Sequence, residues 1–237
     1  MARRFIIDCN LDGMSVFEIT GEEARHIFVL RHNVGDIIEI NNKKCEIVGI
    51  SKQSVKCNVI GEAVQKGIPN VKITLYQALL KADKMEYVIQ KAVELGVSRI
   101  VPFVSKNVVV KLDDNDKTKK VERFNKISRE ASKQCGRSDV VEVSAIETFS
   151  EVIEDMKGYK NSIIAYENEI SSLKKFLKEN RKIDEIAIVI GAEGGFEFSE
   201  VNSLTENGCV SVSLGDRVLR AETASLNLIS ILMYELN

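Results

Sequence analysis

The order of apolar and polar residues divides the chain into two parts. In residues 1–66, apolar positions alternate with polar ones, as at Val55, Cys57 and Val59, and a period of two is typical of half-buried strands. This pattern predicts strands at 4–8, 16–20, 36–41, 44–51 and 55–60. A short helical piece starts at Gly21 and runs to Leu30. Short strands with little helix predict a small β-barrel for residues 1–66.

From residue 71 onward, the pattern alternates between strands and longer amphipathic helices. Strands are predicted at 71–80, 99–104, 162–166, 186–190 and 210–214. Helices are predicted at 84–95, 117–135, 171–180, 199–207 and 221–236. This alternation predicts an α/β domain over residues 71–237, with a mostly parallel sheet covered by helices on both faces. In such sheets, ligands bind at the carboxyl ends of the strands.

Local signals mark the boundary between the two parts and the first helix after it. Residues 65–70 break regular structure and carry Pro69, which is one of only two prolines. Asp83 and Glu86 have the spacing of a capping box, and Gly96 stands where a helix needs a left-handed residue to end. We therefore expect a helix between Asp83 and Gly96.

Two glycine-bearing loops in the last quarter of the chain are the strongest indication of a ligand site. They lie in IVIGAEGGF at 188–196 and in SLGDRVLRAETASLNLI at 213–229, and each follows an apolar, β-branched run. Neither contains G-x-G-x-x-G or G-x-x-x-x-G-K-[ST], which argues against a dinucleotide or P-loop enzyme. Glycine lets a backbone approach a ligand closely, although these glycines could equally serve only to make tight turns.

Composition restricts the class of protein. The 237-residue chain is 44% hydrophobic and has a net charge of −2, so an RNA ligand would need a local basic patch. Five cysteines without a C-x-x-C pair predict reduced, intracellular thiols. His26 and His32 lack the spacing of a metal site, so we expect no metal. Without a signal peptide or a long apolar run, the expected location is the cytoplasm, with no membrane association.

Four motifs in a fixed order resemble one enzyme family. They are KMEYVIQKAVELGV at 84–97, KQCGR at 133–137 and the two glycine loops. Together they resemble the bacterial 16S ribosomal RNA uridine-N3 methyltransferases of the knotted SPOUT superfamily, over nearly the whole chain. Two positions depart from that pattern: Ala192 replaces the usual proline, and Asp216 occupies a position where proline is frequent.

The resemblance implies an architecture and a quaternary structure. Residues 1–66 would be a PUA-like, RNA-binding barrel, and residues 71–237 would be the SPOUT domain. A deep trefoil knot would lie near the C-terminus, although knots are nearly absent from proteins in general. The family also implies a homodimer.

S-adenosylmethionine is the cofactor that the resemblance implies. Its adenosine would lie among the backbone groups of the two glycine loops. The corresponding residues here are Ile190, Gly191, Glu193, Gly194, Gly195, Leu214, Gly215, Val218, Leu219, Thr223 and Ala224. The leucines and Val218 would form an apolar wall for the adenine. Thr223 and Ala224 would offer the amides at the start of the last helix.

Methylation at uridine N3 requires that nitrogen to lose its proton, so the site needs a proton acceptor or a cation. Arg220 is the leading cation, with a simple ion pair as its alternative. Glu193 could orient the cofactor, accept the proton, or only cap backbone amides. Glu222 is a weaker catalytic possibility and could be an ordinary first-turn acid. Cys135 is expected to be buried rather than nucleophilic.

Arginine and lysine residues are the expected RNA contacts. The predicted set is Arg3, Arg4, Arg25, Arg31, Lys84 and Arg137. His26 and His32 lie in the same stretch as the first four, and Lys81 lies close to Lys84. Arginine suits bidentate phosphate contact, but these residues could also form a scattered solvated surface.

The sequence therefore indicates an S-adenosylmethionine-dependent methyltransferase that modifies N3 of a uridine in 16S ribosomal RNA. Its partner would be that RNA or the 30S subunit. Two alternatives stay open. A related knotted enzyme could act on transfer RNA or 23S ribosomal RNA, or the chain could be a non-catalytic RNA-binding factor.

Overall fold

A computed structural model describes residues 4–7, 9–65, 67–108 and 113–237. The chain separates into two compact units. The first comprises Met1–Ile68 with Lys133–Asp139, and the second comprises Pro69–Ser132 with Val140–Asn237. Residues 133–139 thus group with the first unit, although residues 133–135 are the end of a helix whose earlier part belongs to the second.

The first unit is built on a five-stranded sheet. Its elements are β1 (Arg4–Phe5), β2 (Val16–Thr20), α1 (Gly21–Val29), β3 (Ile37–Ile40), β4 (Lys43–Ile50) and β5 (Ser54–Glu62). The strand order is β1-β3-β4-β5-β2, and only β1 and β3 are parallel. Register shifts in β4 mark bulges, which bend a sheet. No pairing closes β1 onto β2 among the described residues, so the strands form an open sheet around an apolar core.

The second unit contains the parallel sheet that the alternation predicts. Its strands are β6 (Lys72–Ala78), β7 (Arg99–Val104), β8 (Glu142–Val143), β9 (Glu147–Thr148), β10 (Ser162–Ala165), β11 (Glu185–Ile190) and β12 (Val210–Val212). Its helices are α2 (Lys84–Leu95), α3 (Asp114–Cys135), α4 (Phe149–Met156), α5 (Leu173–Glu179), α6 (Phe198–Glu206) and α7 (Ala221–Leu236). The strand order is β12-β10-β11-β6-β7-β8, and β9 also pairs with β7. Every pairing between these strands is parallel, which confirms the predicted α/β fold class.

Strand order determines which loops become neighbours. β10 lies between β11 and β12, with Ile163 opposite both Ile188 and Val210. Because the three strands are parallel, the loops that follow them emerge at the same edge of the sheet. Both glycine loops are therefore adjacent to the segment that follows β10. The knot stays a prediction, because strand order does not define how a chain threads.

Helix boundaries were predicted with one error and one omission. Gly96 ends α2 with φ +106, as expected. Asp83 instead has helical dihedrals (φ −74, ψ −11) and its side chain caps no amide, so the expected capping box is wrong. A capping box forms at α4, where Thr148 and Glu151 exchange hydrogen bonds. The sequence pattern did not predict α4 or the two-residue strands β8 and β9.

The helices of the described part of the chain are not of the membrane-spanning kind, because none combines sufficient length with sufficient apolar character.

Candidate functional site

A cavity of about 420 Å³ lies at the carboxyl ends of β10, β11 and β12. All the predicted cofactor residues except Thr223 line it. They are Ile190, Gly191, Glu193, Gly194, Gly195, Leu214, Gly215, Val218, Leu219 and Ala224. Arg220 and Lys84 line it as well, together with Tyr166 and Glu167, which the sequence did not single out. The fold thus brings both glycine loops to one cavity.

The glycines of the loop after β11 are required by close packing. A Cβ on Gly194 would lie 3.0 Å from the Cβ of Asn107, which is as tight as such contacts become. Gly195 has φ +65, and a Cβ there would lie 2.9 Å from Glu167 Oε1. A larger residue at Gly194 would press against Asn107. One at Gly195 would be strained by its positive φ and would push the Glu167 carboxylate aside, so glycine suits both positions.

Two polar side chains hold the same loop in place, one from the turn after β7 and one from β6. The Asn107 amide donates to the carbonyl oxygens of Gly194 at 3.1 Å and Gly195 at 3.3 Å. The buried Gln77 amide donates to the Gly191 carbonyl at 3.2 Å, and the Ser225 hydroxyl donates to Gln77 Oε1. These contacts rigidify the loop from both sides. The sequence could have indicated Gln77, because it is a lone amide within the apolar run KITLYQALL. Nothing in the sequence pattern distinguishes Asn107.

Lys84, which lines the cavity, lies close to two carboxylates. Its ammonium lies 3.3 Å from Glu193 Oε1 and 3.8 Å from Glu222 Oε2. Partial burial of Glu193 opposes its ionisation, but the backbone N–H groups of Glu193 and Lys81 and the ammonium of Lys84 outweigh burial and lower the pKa of Glu193. A lowered pKa makes Glu193 a poor proton acceptor. Orienting a ligand is therefore the role that the local geometry favours for this carboxylate.

Arg220 stands where the loop after β12 meets the last helix. It is the N-cap residue of α7, and its carbonyl accepts the amide of Ala224 at 2.8 Å. Its guanidinium is exposed and makes no ion pair with any described residue. The ion-pair alternative therefore finds no partner among the residues that the structure describes, and Arg220 lines the cavity.

The other predicted RNA contacts fall into two groups. Arg25 and Arg31 are exposed. Arg4 donates to Glu39 at 2.9 Å and to Ser138 at 2.8 Å, while Arg137 is only 2% exposed and pairs with Asp139 at 3.0 Å. Arg4 and Arg137 thus have structural partners that a phosphate would have to displace. Arg3 lies outside the described residues.

Cys135 is exposed, so the expectation that it is buried is wrong. The reason is its position as the last residue of α3, beyond the turn whose small residues pack inward. Elsewhere in the described chain, no group of three or more histidine, cysteine or acidic residues is arranged to hold a metal ion.

Comparison with known proteins gives consistent matches over most of the chain. A family model described as "RNA methyltransferase domain" matches residues 68–233. Ribosomal RNA small subunit methyltransferase E of Bacillus subtilis is 38% identical over 230 residues, which cover 92% of this chain and 90% of the relative. The protein of the same name from Mesomycoplasma hyopneumoniae is 30% identical over 214 residues, with coverage of 90% and 92%.

A solved structure extends the similarity to three dimensions. It is the ribosomal RNA small subunit methyltransferase E of Neisseria gonorrhoeae bound to S-adenosylmethionine. The two chains superpose with a TM-score of 0.86 at 26% identity, over 100% of this chain and 98% of the other. The similarity therefore includes both units and the cavity-forming loops.

Proposed function

Because the chain belongs to the RNA methyltransferase family that includes ribosomal RNA small subunit methyltransferase E, we propose that it methylates N3 of a uridine in 16S ribosomal RNA, with S-adenosylmethionine as methyl donor. The observation that carries the proposal is the cavity in which both motif loops meet. The name of the Bacillus subtilis relative supports ribosomal RNA of the small subunit as the substrate. This substrate implies action in the cytoplasm.

The cavity fits an adenosyl cofactor in shape and chemistry. Its volume of about 420 Å³ suits a ligand of that size, and its walls combine glycine backbone with the apolar side chains of Leu214, Val218 and Leu219. When bound, S-adenosylmethionine supplies an electrophilic methyl group. The backbone of the two loops would hold the adenosine, and the amide of Ala224 is already bonded to the Arg220 carbonyl within α7.

The protein's contribution to the reaction is positioning and control of charge. Uridine N3 must first give up its proton to solvent water, so negative charge develops on the base. That charge is discharged when N3 bonds to the methyl carbon and the methyl–sulfur bond breaks. The exposed guanidinium of Arg220 would stabilise that charge. Glu193, which Lys84 and the Lys81 amide keep ionised, would orient the ligand rather than take the proton.

RNA binding and assembly complete the proposal. Arg25 and Arg31 would contact phosphates from the first unit, which we propose to be a PUA-like RNA-binding domain.

The enzyme would act as a homodimer. Val218 is 81% exposed and Tyr234 is 86% exposed in the single chain, and covering them would favour association. Light scattering of the purified protein tests this point directly.

A methylation assay with radiolabelled S-adenosylmethionine tests the function. We expect transfer of label to small-subunit RNA, and a reverse-transcription stop at one uridine, because a methyl group on N3 blocks base pairing. Assembled 30S subunits and protein-free 16S RNA should be compared as substrates. Label in 23S or transfer RNA alone, or no transfer to any RNA despite cofactor binding, would contradict the proposal.

A further inference from the structure

Glu167 is a cavity carboxylate that neither the motifs nor the proposed mechanism uses. It follows β10 by two residues and lines the cavity. Among the described residues, its side chain makes no hydrogen bond or ion pair, whereas Glu193 is held by Lys84 and by the Lys81 amide. Glu167 is therefore the acidic group of this cavity whose oxygens are available to a ligand.

The fold places Glu167 between the two glycine loops. β10 lies between β11 and β12 in the sheet, so the segment after β10 separates the loops that follow its neighbours. On one side, the Tyr166 amide donates to the Val212 carbonyl at 3.1 Å. On the other side, a Cβ on Gly195 would lie 2.9 Å from Glu167 Oε1. The carboxylate thus lines the cavity close to Gly195 of the loop after β11, on a segment that is hydrogen-bonded to β12.

The chemistry of a carboxylate at this point indicates what it binds. An ionised carboxylate only accepts hydrogen bonds, and its two oxygens can each accept one from a pair of adjacent hydroxyl groups. An acidic side chain beside a glycine loop binds ribose hydroxyls in other nucleotide sites, by the same matching of acceptors to donors. If Leu214, Val218 and Leu219 hold the adenine, the part of the ligand next to them is the ribose.

We propose that Glu167 accepts hydrogen bonds from the ribose 2′- and 3′-hydroxyl groups of the adenosyl ligand and so selects a ribonucleoside. This inference rests on the proposed function, because it assigns a role within the same cofactor site. It makes Glu167 a determinant of cofactor affinity, separate from the residues that handle charge on the RNA base.

Calorimetric titration of the full-length protein tests this role without relying on activity. The ligands are S-adenosylmethionine, S-adenosylhomocysteine, adenosine and 2′-deoxyadenosine. We expect Glu167→Gln to weaken both S-adenosyl ligands equally, by about tenfold, as for a lost hydrogen bond to a charged group. The wild-type preference for adenosine over 2′-deoxyadenosine should shrink in the variant, because the amide keeps only one of the two acceptor oxygens. Glu179→Gln, an exposed acid of α5 outside the cavity, is the matched control and should bind like the wild type.

Three results would overturn the role of Glu167. The first is wild-type affinity in Glu167→Gln, with thermal unfolding showing that the variant is folded. The second is a 2′-hydroxyl preference that is as large in the variant as in the wild type. The third is a loss of affinity for S-adenosylmethionine alone, which would mean that the carboxylate interacts with the positive charge of the sulfonium. A wild-type chain that binds neither S-adenosyl ligand would instead contradict the proposed function itself.

Discussion

Gly195 satisfies two constraints that no other residue type meets together. Its backbone has φ +65, which residues with a side chain rarely adopt, and a Cβ there would lie 2.9 Å from Glu167 Oε1. The sequence shows a glycine here but not which of these properties requires it. Gly191 is different, since its φ is not positive and only close packing restricts a side chain there, with a Cβ 3.2 Å from both the Gly195 backbone and the Phe196 ring.

Replacing Gly195 by alanine should therefore affect both stability and binding. We expect the free energy of unfolding to fall by about 1–2 kcal/mol, the cost of a left-handed residue with a Cβ. The affinity for S-adenosylmethionine should fall about tenfold or more, because Glu167 must move. Gly208→Ala is the control, with φ +95 but no atom near the new Cβ. Gly208→Ala should lose stability but keep the wild-type affinity for S-adenosylmethionine. Normal cofactor affinity in Gly195→Ala would contradict the prediction.

Arg220→Ala should separate catalysis from cofactor binding. Removing a cation that faces developing negative charge typically lowers kcat by about 10²-fold. The dissociation constant for S-adenosylmethionine should change little, because the backbone of the loops carries that interaction. Steady-state kinetics and calorimetry on the same preparation measure both quantities. Arg220→Lys, which keeps the charge, should recover part of kcat; an unaltered kcat in Arg220→Ala would remove Arg220 from the mechanism.

At the scale of elements, the junction of β9 and α4 carries an unusual acid. Glu147 lies in β9, and one of its carboxylate oxygens is buried without a hydrogen-bond partner. Burial, followed by the nearby charge of Asp155, raises the pKa of Glu147 to about 7, although Arg99 opposes the shift and Glu151 adds to it. The protonated form is therefore the one that this junction stabilises.

Stability should consequently depend on pH through this junction. Below pH 4.5, Glu147 is protonated in both the folded and the unfolded chain, and its contribution to stability is fully present. As pH rises to about 7, only the unfolded chain gives up the proton readily, so stability falls. Glu147→Gln should remove this dependence on pH. At pH 8 the free energy of unfolding of the variant should exceed that of the wild type by roughly 1 kcal/mol. Urea unfolding from pH 4 to 8 measures it.

The matched control for that experiment is Glu142→Gln in the adjacent strand β8, where the side chain is exposed. Its unfolding free energy should keep the wild-type dependence on pH. A Glu147→Gln variant with the same slope as the wild type would show that Glu147 is already ionised at neutral pH.

At the scale of the whole molecule, the net charge is −2, so RNA binding depends on where the individual cationic side chains lie. Folding engages Arg4 with Glu39, Lys84 with Glu193, and Arg137 with Asp139. Arg25 and Arg31 stay exposed in the first unit. Of the predicted RNA contacts that the structure describes, these two are the most accessible to phosphate.

Arg25→Ala combined with Arg31→Ala should therefore weaken RNA binding and leave cofactor binding intact. Each lost phosphate contact reduces the slope of log K against log salt by about one, so a reduction of about two is expected. Filter binding of 16S RNA over a range of salt concentrations provides the slope. Lys52→Ala with Lys56→Ala removes the same charge from exposed positions of the same unit and should change the slope less. Equal effects of the two pairs would indicate nonspecific attraction.

Local patterns were sufficient for much of the architecture. The period of two in residues 55–59 and the alternation after residue 71 depend on which side of each element is apolar, and the structure confirms the resulting α/β class. The glycine loops were found because their unusual composition directly follows apolar strands. Short elements such as α4 were not predicted, because eight residues contain too few turns to establish a helical period.

The sequence by itself thus determined the class of sheet, the position of both glycine loops and the low net charge. Only the tertiary structure decided that Glu167 stands between those loops, that Asn107 and Gln77 hold one of them, and that Lys84 is engaged by two carboxylates. The physical reason is strand order. Contacts between residues far apart along the chain depend on β10 lying between β11 and β12, and an alternating pattern of apolar residues carries no information about which strands become neighbours.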